Sequence, residues 1–542
     1  MPATPTMTSA FVNISNPGDQ DLVASVTFLS ADSPEQSIVT VKPRSREQIE
    51  FLRGRTVGVV VPQVELIGST GSVEQQLDFP GGDVTSQCVP DTSSTWFLAD
   101  GFTAEGSSQR VVITNPYPDA AVVNMTYVTA EGSREPANLQ GLIIPPATAK
   151  SLSMADLGAQ NELRLSVSVE ATTGRVVVSR IQHYLGAGRL GYSTTAGTPR
   201  ALGQWWFTSG RTGPSVLEQL VVHNPGDTRS LVQVTFFGEG ITNGLPVDEN
   251  NVAATPTREI EVPAGETVDI DTNEVADLPK GDHAMVVSVL EGPDVVVEHV
   301  LSQQTGGSSF TAVTNGLVDG LLSPVWRLPS GLVGGALNAV AVLNTTATDG
   351  TFTVSAFGPG GKVALPGLEK VPLGPASVVS LNVPPDVPPG EVIIEATVPV
   401  AVQRRMARNH GLVGFSIVGM CRAPASGLCV CIPYRLLQSD EIWTSWRISA
   451  LHNCVYRAMH NGMRAAIGFF PGHQQQATGF PQWVVVLIVS AVIRERQKIQ
   501  TRVSGEIDLI ADRHIAGLLL AEHLAREASV RRMIVMHMRV AE

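Results

Sequence analysis

The sequence predicts an all-β protein: a tandem array of four immunoglobulin-like β-sandwich modules, followed by an irregular or partly helical C-terminal tail. Three observations predict it. An apolar strand ending in Asn recurs at Asn16 (VNISNPGD), Asn115 (VITNPYPD), Asn224 (VVHNPGDT) and Asn344 (VLNTTATD), in steps of 99, 109 and 120 residues, the size of one small β domain. Residues 1–415 are rich in Val, Thr, Ser, Gly and Pro, a mixture that suits pleated strands joined by tight turns. Short apolar runs follow one another at two-sheet sandwich spacing, about seven strands to a unit.

Each unit opens on a tryptophan. Trp96 precedes Asn115 by 19 residues, Trp206 precedes Asn224 by 18 and Trp326 precedes Asn344 by 18. A matching Trp for the first unit would fall ahead of Met1, so the first module reads as N-terminally truncated. After the opener, the third unit runs through an apolar strand (217–223), the turn Asn224-Pro225-Gly226-Asp227 and an alternating return strand (231–237). In that turn the Asn side chain is expected to bond backbone two residues on, Pro to preset the next position and Gly to accept a left-handed conformation. The fourth unit replaces Pro-Gly with Thr345-Thr346, so its turn is expected to differ. Two strands hinged at Pro263-Ala264-Gly265 come next. Residues 284–290 and 295–301, joined at Glu291-Gly292-Pro293-Asp294, read as a closing hairpin.

These units place domains at 1–90, 91–200, 201–322 and 323–419, with a tail at 420–542. The net charge of −13 divides into −18 over residues 1–415 and +5 over 416–542. An acidic body argues against a nucleic-acid surface, which needs clustered Lys and Arg. No secretory signal or run of about twenty apolar residues stands at the start of the chain as given.

The Trp-Phe openers (Trp96-Phe97, Trp206-Phe207), the Asn-Pro-Gly-Asp strand ends and the Cys88-Val89-Pro90 stretch before Trp96 resemble an actinobacterial family of secreted or membrane-anchored envelope proteins of unknown function, DUF5719. The resemblance covers roughly residues 10–419. It implies an extracytoplasmic location and an N-terminal signal or membrane segment with a Trp-x-Cys opener, both missing here, so that Cys88 lacks its disulfide partner. It implies no catalytic residues.

Candidate chemistry is sparse. Gly186-Ala187-Gly188-Arg189-Leu190-Gly191 matches the dinucleotide fingerprint, yet residues 192–199 (YSTTAGTP) will not form the helix whose dipoles hold a pyrophosphate. It reads as a closing turn, and no cofactor is expected. The Val-rich strands align a polar position at Arg180, His299 and Arg404. A cation there either stacks on an opener Trp or lines a ligand groove; three copies in three modules favour a shared packing role. Trp205 lies outside the opener slot and is the candidate for an exposed ring that stacks on a sugar. There is no Gly-x-Ser-x-Gly, His-Glu-x-x-His or phosphate-loop motif, and His183, His223, His283, His299 and His410 fall in different segments.

In the tail, Cys421, Cys429, Cys431 and Cys454, with His452 and His460, lack the paired Cys-x2-Cys knuckles of a zinc site, so no metal is expected. The β pattern stops near Ser416 while Arg, Cys, His, Met and Trp all rise. The tail thus reads as out-of-frame or disordered sequence rather than a fifth domain.

The expectation is a non-catalytic structural or interaction protein of a bacterial cell envelope, a soluble rod. Its partners would be envelope proteins or cell-wall glycans, with no nucleic acid, and it would reach a membrane only through the missing N-terminal anchor. A glycan-binding array is the alternative, and a hydrolase with a scattered site the lesser one. The structural reading expects Trp96, Trp206 and Trp326 buried. The glycan reading expects Trp205 exposed in a groove, and an enzyme expects histidines and acids converging in a cleft.

Overall fold

The computed structural model describes residues 7–417 apart from 33, 53–57, 68–70, 80–81, 239–245, 249–250, 253–255, 277, 306–307, 319–321, 330, 332–336, 385–390 and 409–410. The candidate residues of the tail, and His410, lie outside the described residues. The chain divides into two compact units, and the first, Met1–Pro433, holds the strands of the described residues.

Module 2 shows the repeat in full. Its strands Thr95–Leu98, Ser108–Asn115, Ala121–Thr129, Leu142–Ile144, Thr148–Ser153, Ser166–Thr173, Val177–Gly186 and Arg189–Ala196 define strand positions 1 to 8. Positions 4-3-6-1 form one antiparallel sheet and 5-2-7-8 the other. Alternating apolar residues from both sheets meet in a dry core, among them Trp96, Ile113, Val123, Met125, Val169 and Val178. Module 3 repeats both orders. In module 4 positions 6 and 7 are one strand, Glu391–Arg408, whose first half pairs in one sheet and second half in the other. Module 1 has 5-2-7-8 but, among the described residues, only 4-3-6 in its other sheet.

Two readings of the turns need correcting. Residues 284–290 and 295–301 are not a hairpin, because they belong to Gly281–Glu291 and Val296–Thr305, which lie in different sheets. The turn between them is an arch over the core. Gly292 (φ 88°) serves it, since a Cβ there would lie 2.2 Å from the Arg229 carbonyl. Two flanking runs of Val look alike whether they pair or stack. The hairpin joins positions 7 and 8, and in module 2 it turns through Ala187 (φ 51°) and Gly188 (φ 76°), a type I′ pattern inside the dinucleotide-like motif.

The Asn turns are alike in all four modules, including the fourth. Asn16, Asn115, Asn224 and Asn344 are buried, and each Oδ1 accepts the N–H two residues on (Gly18 2.9 Å, Tyr117 3.0 Å, Gly226 2.9 Å, Thr346 2.9 Å). Each Nδ2 donates to the carbonyl four residues on, at 2.7–2.8 Å, and to a carbonyl at the end of position 4 or just after it. The Asn alone carries the turn, so Thr345-Thr346 changes little. Neither Gly18 nor Gly226 has positive φ. Gly226 is required by space, because a Cβ would lie 2.6 Å from Pro293 in the arch.

The modules do not form a rod. Their position 8 strands, Gly82–Gln87, Arg189–Ala196, Ser308–Asn315 and Gly411–Ile417, pack in succession about a common axis, and the last returns to the first. Leu29, Val59 and Val61 of module 1 meet Val112, Ala149 and Ile181 of module 2. Ala99, Phe102 and Tyr184 of module 2 meet Val221, Val296, Val300 and Val313 of module 3. Trp206, Phe237 and Ala284 of module 3 join the core of module 4. Arg404 of module 4 then reaches Glu74 and Thr85 of module 1, closing the ring.

Candidate functional site: the buried charged girdle

Strand register places Arg180, His299 and Arg404 at one equivalent point, each opposite the residue four before its module's Asn (Val111, Leu220 and Val340). Gln75, opposite Val12, is the fourth member, which sequence reading missed because module 1 carries no cation there. The residues just before them, Glu74, Ser179, Glu298 and Gln403, form a second equivalent set. All eight are at most 3% exposed. Together they make a polar belt around the axis.

Between modules 2 and 3 the belt is ionic. Arg180 Nη1 bonds Glu298 Oε2 at 3.0 Å and the Asp100 carbonyl, while Nη2 bonds Thr195 Oγ1 at 2.8 Å. The Asp100 N–H donates to the same Glu298 oxygen (2.6 Å), and the Asp100 carboxylate accepts from Arg189 (2.8 Å) and the Tyr184 hydroxyl (2.7 Å). Two cations thus balance two carboxylates away from water. Burial pushes the Asp100 carboxyl up, but Arg189, Arg180 and the Tyr184 hydrogen bond outweigh it and hold the group below its usual range. Between modules 4 and 1 the same pairing recurs: Arg404 bonds Glu74 Oε1 (2.6 Å), Thr85 Oγ1 (2.7 Å) and the Gly331 carbonyl (2.8 Å).

In module 3 the equivalent side chain turns inward. His299 Nε2 lies 2.8 Å from Glu218 Oε1, His283 Nε2 lies 2.9 Å from Oε2, and the carboxylate also accepts from Thr272 Oγ1 (2.7 Å) and the Arg211 N–H (2.9 Å). Gly210 lets these groups approach, since a Cβ there would stand 2.5 Å from Glu218 Oε1 and 2.6 Å from His283 Nε2. Burial resists ionisation of Glu218, yet His283 and His299 hold its carboxyl far below the carboxylate range. Burial likewise works against the His283 cation, but Glu218 holds its imidazole above the usual value. Two of the scattered histidines and an acid therefore do converge. They do so in a sealed core, with exposures of 0–2%, and among the described residues no His, Cys, Asp and Glu group is arranged to hold a metal.

The tryptophans reverse one assignment. Trp96, Trp205 and Trp326 are each at most 1% exposed, and each indole N–H donates to the carbonyl at the same place in its module: Val176 (2.8 Å), Val295 (2.9 Å) and Val400 (2.9 Å). Trp205, not Trp206, holds the opener slot of module 3, 19 residues before Asn224. Adjacent residues on a strand face opposite ways, so only one of the pair can enter the core. Trp206 is half-buried and packs on module 4, and its Nε1 has no hydrogen-bond partner among the described residues. Phe97, at the matching place in module 2, packs against module 3. Opener strands do help neighbours dock, through the residue after the tryptophan.

A cavity of about 220 Å³ lies at the seam of modules 1 and 2 and is lined by Val59, Ser108, Arg110, Ile181, His183 and Tyr192. Tyr192 offers no free face to a ligand, being stacked between His183 (4.1 Å) and Phe79 (4.6 Å).

A family of unknown function, DUF5719, matches residues 78–185 and 191–414. The chain belongs to this family. The DUF5719 match contains the three opener tryptophans and both arginines of the belt. No curated protein matches the chain. Among solved structures, the crystal structure of Thermotoga maritima 1070 is similar at 14% identity, over 22% of this chain and 94% of that one, with a TM-score of 0.18.

Proposed function

We propose that this chain is a non-catalytic structural or interaction protein of a bacterial cell envelope, acting as a rigid closed ring. The observation that carries the reading is the use made of its reactive side chains. Arg180, Arg404, Glu74, Glu298 and Asp100 join modules to one another, and Glu218, His283 and His299 brace module 3, all out of reach of a substrate. The net charge of −18 over residues 1–415 favours solubility and repels anionic polymers. Burial of Trp205 removes the ring on which the glycan reading depended.

Two measurements on the native host test this. Intact cells are treated with a membrane-impermeant amine label; labelling of the ring supports the envelope location, and labelling only after lysis overturns it. A deletion strain is then complemented with wild-type chain or with Glu218→Gln. Equal rescue by both folded proteins is expected, while loss of rescue by a folded Glu218→Gln protein would mean the cluster does chemistry.

A further inference from the structure

The seam that closes the ring differs from the others on both of its faces. At each seam the outer face of one module's 5-2-7-8 sheet meets the module before it, and for module 1 that is module 4. On this face the residue three before the Asn is Val112 in module 2, Val221 in module 3 and Ala341 in module 4, but Asn13 in module 1. The position 7 residue opposite the one just before the Asn is Val177, Val296 or Ala401, but Ser72 in module 1. Ser15 and Glu74 pair with Ser72 and Asn13, so this face of module 1 is polar, yet Asn13, Ser15 and Glu74 are each 1% exposed.

The facing side of module 4 differs to match. In module 3 the residues that reach module 4 are Trp206, Phe237 and Ala284. Register puts Arg327, Phe357 and Glu391 at the same places in module 4. An ion pair thus stands where module 3 has tryptophan and alanine, with Arg327 Nη1 2.6 Å from Glu391 Oε2 and its guanidinium over the Phe357 ring at 5.9 Å. The other oxygen of Glu391 accepts from Ser72 Oγ of module 1 at 2.9 Å, and the Arg404 pair with Glu74 completes the contact. Apolar clusters span the seams of modules 1 and 2, 2 and 3, and 3 and 4; among the described residues none spans that of modules 4 and 1.

We propose that this seam is a clasp, at which modules 1 and 4 part and rejoin while the other three seams hold, so that the ring is the closed form of an arc. The inference goes beyond the structural role proposed above and does not rest on an envelope location. Parting an apolar seam costs free energy in proportion to the apolar area exposed to water. Parting this one exchanges hydrogen bonds within the protein for bonds to water, a small net cost, and the attraction of the buried ion pairs is largely offset by the hydration they regain. Their charges set the register in which the faces rejoin. Modules 1 and 4 are also the one pair of ring neighbours not consecutive in the chain, so no short connector holds them together. Polar interfaces between domains are the ones that move, whereas large apolar ones stay fixed. The faces laid bare are polar, so the arc stays soluble.

The test places single thiols at matched points of the full chain. Ser15→Cys reports the seam of modules 4 and 1 and Thr114→Cys, its equivalent, that of modules 1 and 2; Asn13→Cys and its equivalent Ala341→Cys compare the seams of modules 4 and 1 and of modules 3 and 4. All four residues are at most 3% exposed in the wild type. Each native protein is treated with a maleimide, and peptide mass mapping separates the new thiol from the native ones. In each pair the thiol on module 1 should react about tenfold faster or more, and its rate should rise with urea far less steeply than global unfolding does, as an opening that exposes little surface requires. Agreement between two positions guards against a thiol that itself loosens the seam. Glu391→Gln should speed labelling of Ser15→Cys severalfold and leave Thr114→Cys unchanged, whereas general destabilisation would speed both. Equal labelling within either pair, a urea slope equal to that of global unfolding, or equal acceleration of both thiols by Glu391→Gln overturns the proposal.

Discussion

The seam between modules 2 and 3 and the seam between modules 3 and 4 use the same two strand positions in different ways. At the first, Arg180 crosses to Glu298 and brings Asp100 and Arg189 with it, a charge-balanced cluster sealed from water. At the second, His299 folds back onto Glu218 in its own module, and Gln403 of module 4 meets only the hydroxyls of Thr208 (3.4 Å) and Thr314 (3.5 Å). The seam of modules 4 and 1 repeats the ionic solution, and that of modules 1 and 2 is apolar. Within the buried belt, ionic and neutral contacts thus alternate around the ring, while nearer the surface Arg405 of module 4 also pairs with Asp282 of module 3 (3.1 Å). Four similar modules with four identical seams would have no preferred order or stopping point, whereas alternation makes each seam fit its own partner. That use of buried charge fits its energetics, which reward specificity more than stability.

The comparison breaks most readily at Arg180. Arg180→Ala leaves Glu298 without its counter-ion in the core and should cost about 3–5 kcal/mol in urea unfolding, as the loss of one partner from a buried pair does. The double change Arg180→Met with Glu298→Leu should recover most of that loss; failure to do so would mean that the ionic seam is needed for stability itself. Next in size is Glu218→Gln, which should cost about 2–3 kcal/mol through weakened charge-assisted bonds to two imidazoles.

Its pH dependence carries a sign. Glu218 is depressed when folded, so its contribution is present above about pH 4.3 and lost as pH falls through the folded value. His283 is raised, so its contribution is full below about pH 6.5 and lost as pH rises through the folded value. The difference in urea midpoint between wild type and Glu218→Gln should therefore be greatest between these limits.

The Asn turns should not distinguish the seams. Asn224→Ala and Asn344→Ala should each cost about 1–2 kcal/mol, and by similar amounts, since the bonds lost are the same. The smallest effect belongs to the neutral belt contact between modules 3 and 4. Thr208→Val, which removes one long hydroxyl contact to Gln403, should change stability by about 0.5 kcal/mol or less. A loss comparable to that of Arg180→Ala would erase the contrast between seams.

Much of this was legible in the chain. The four Asn steps marked real structural equivalents, because a buried Asn that serves backbone on three sides has no substitute of like geometry. The aligned Arg180, His299 and Arg404 fell at one register position because strand spacing is rigid. Gln75 escaped notice because it shares only position, not charge, with its equivalents. Trp206 was mistaken for Trp205 by one residue, an error that strand alternation turns into a swap between core and seam. The pairing of residues 284–290 with 295–301 failed because an arch and a hairpin have the same pattern of apolar runs and turn residues.

What the sequence determined by itself was local and periodic: the strands, the turns nucleated by Asn, and the repetition of one sandwich. Those follow from side-chain shape and from bonds made within a few residues or within one module. Tertiary structure alone decided that the modules close into a ring, which cation meets which carboxylate, and which histidine turns inward. Such choices depend on contacts between residues more than a hundred positions apart, Arg180 with Glu298 and Arg404 with Glu74. Nothing in a strand's own pattern names the partner across the seam, because burial rewards any apolar face and only the assembled ring reveals which charges must balance.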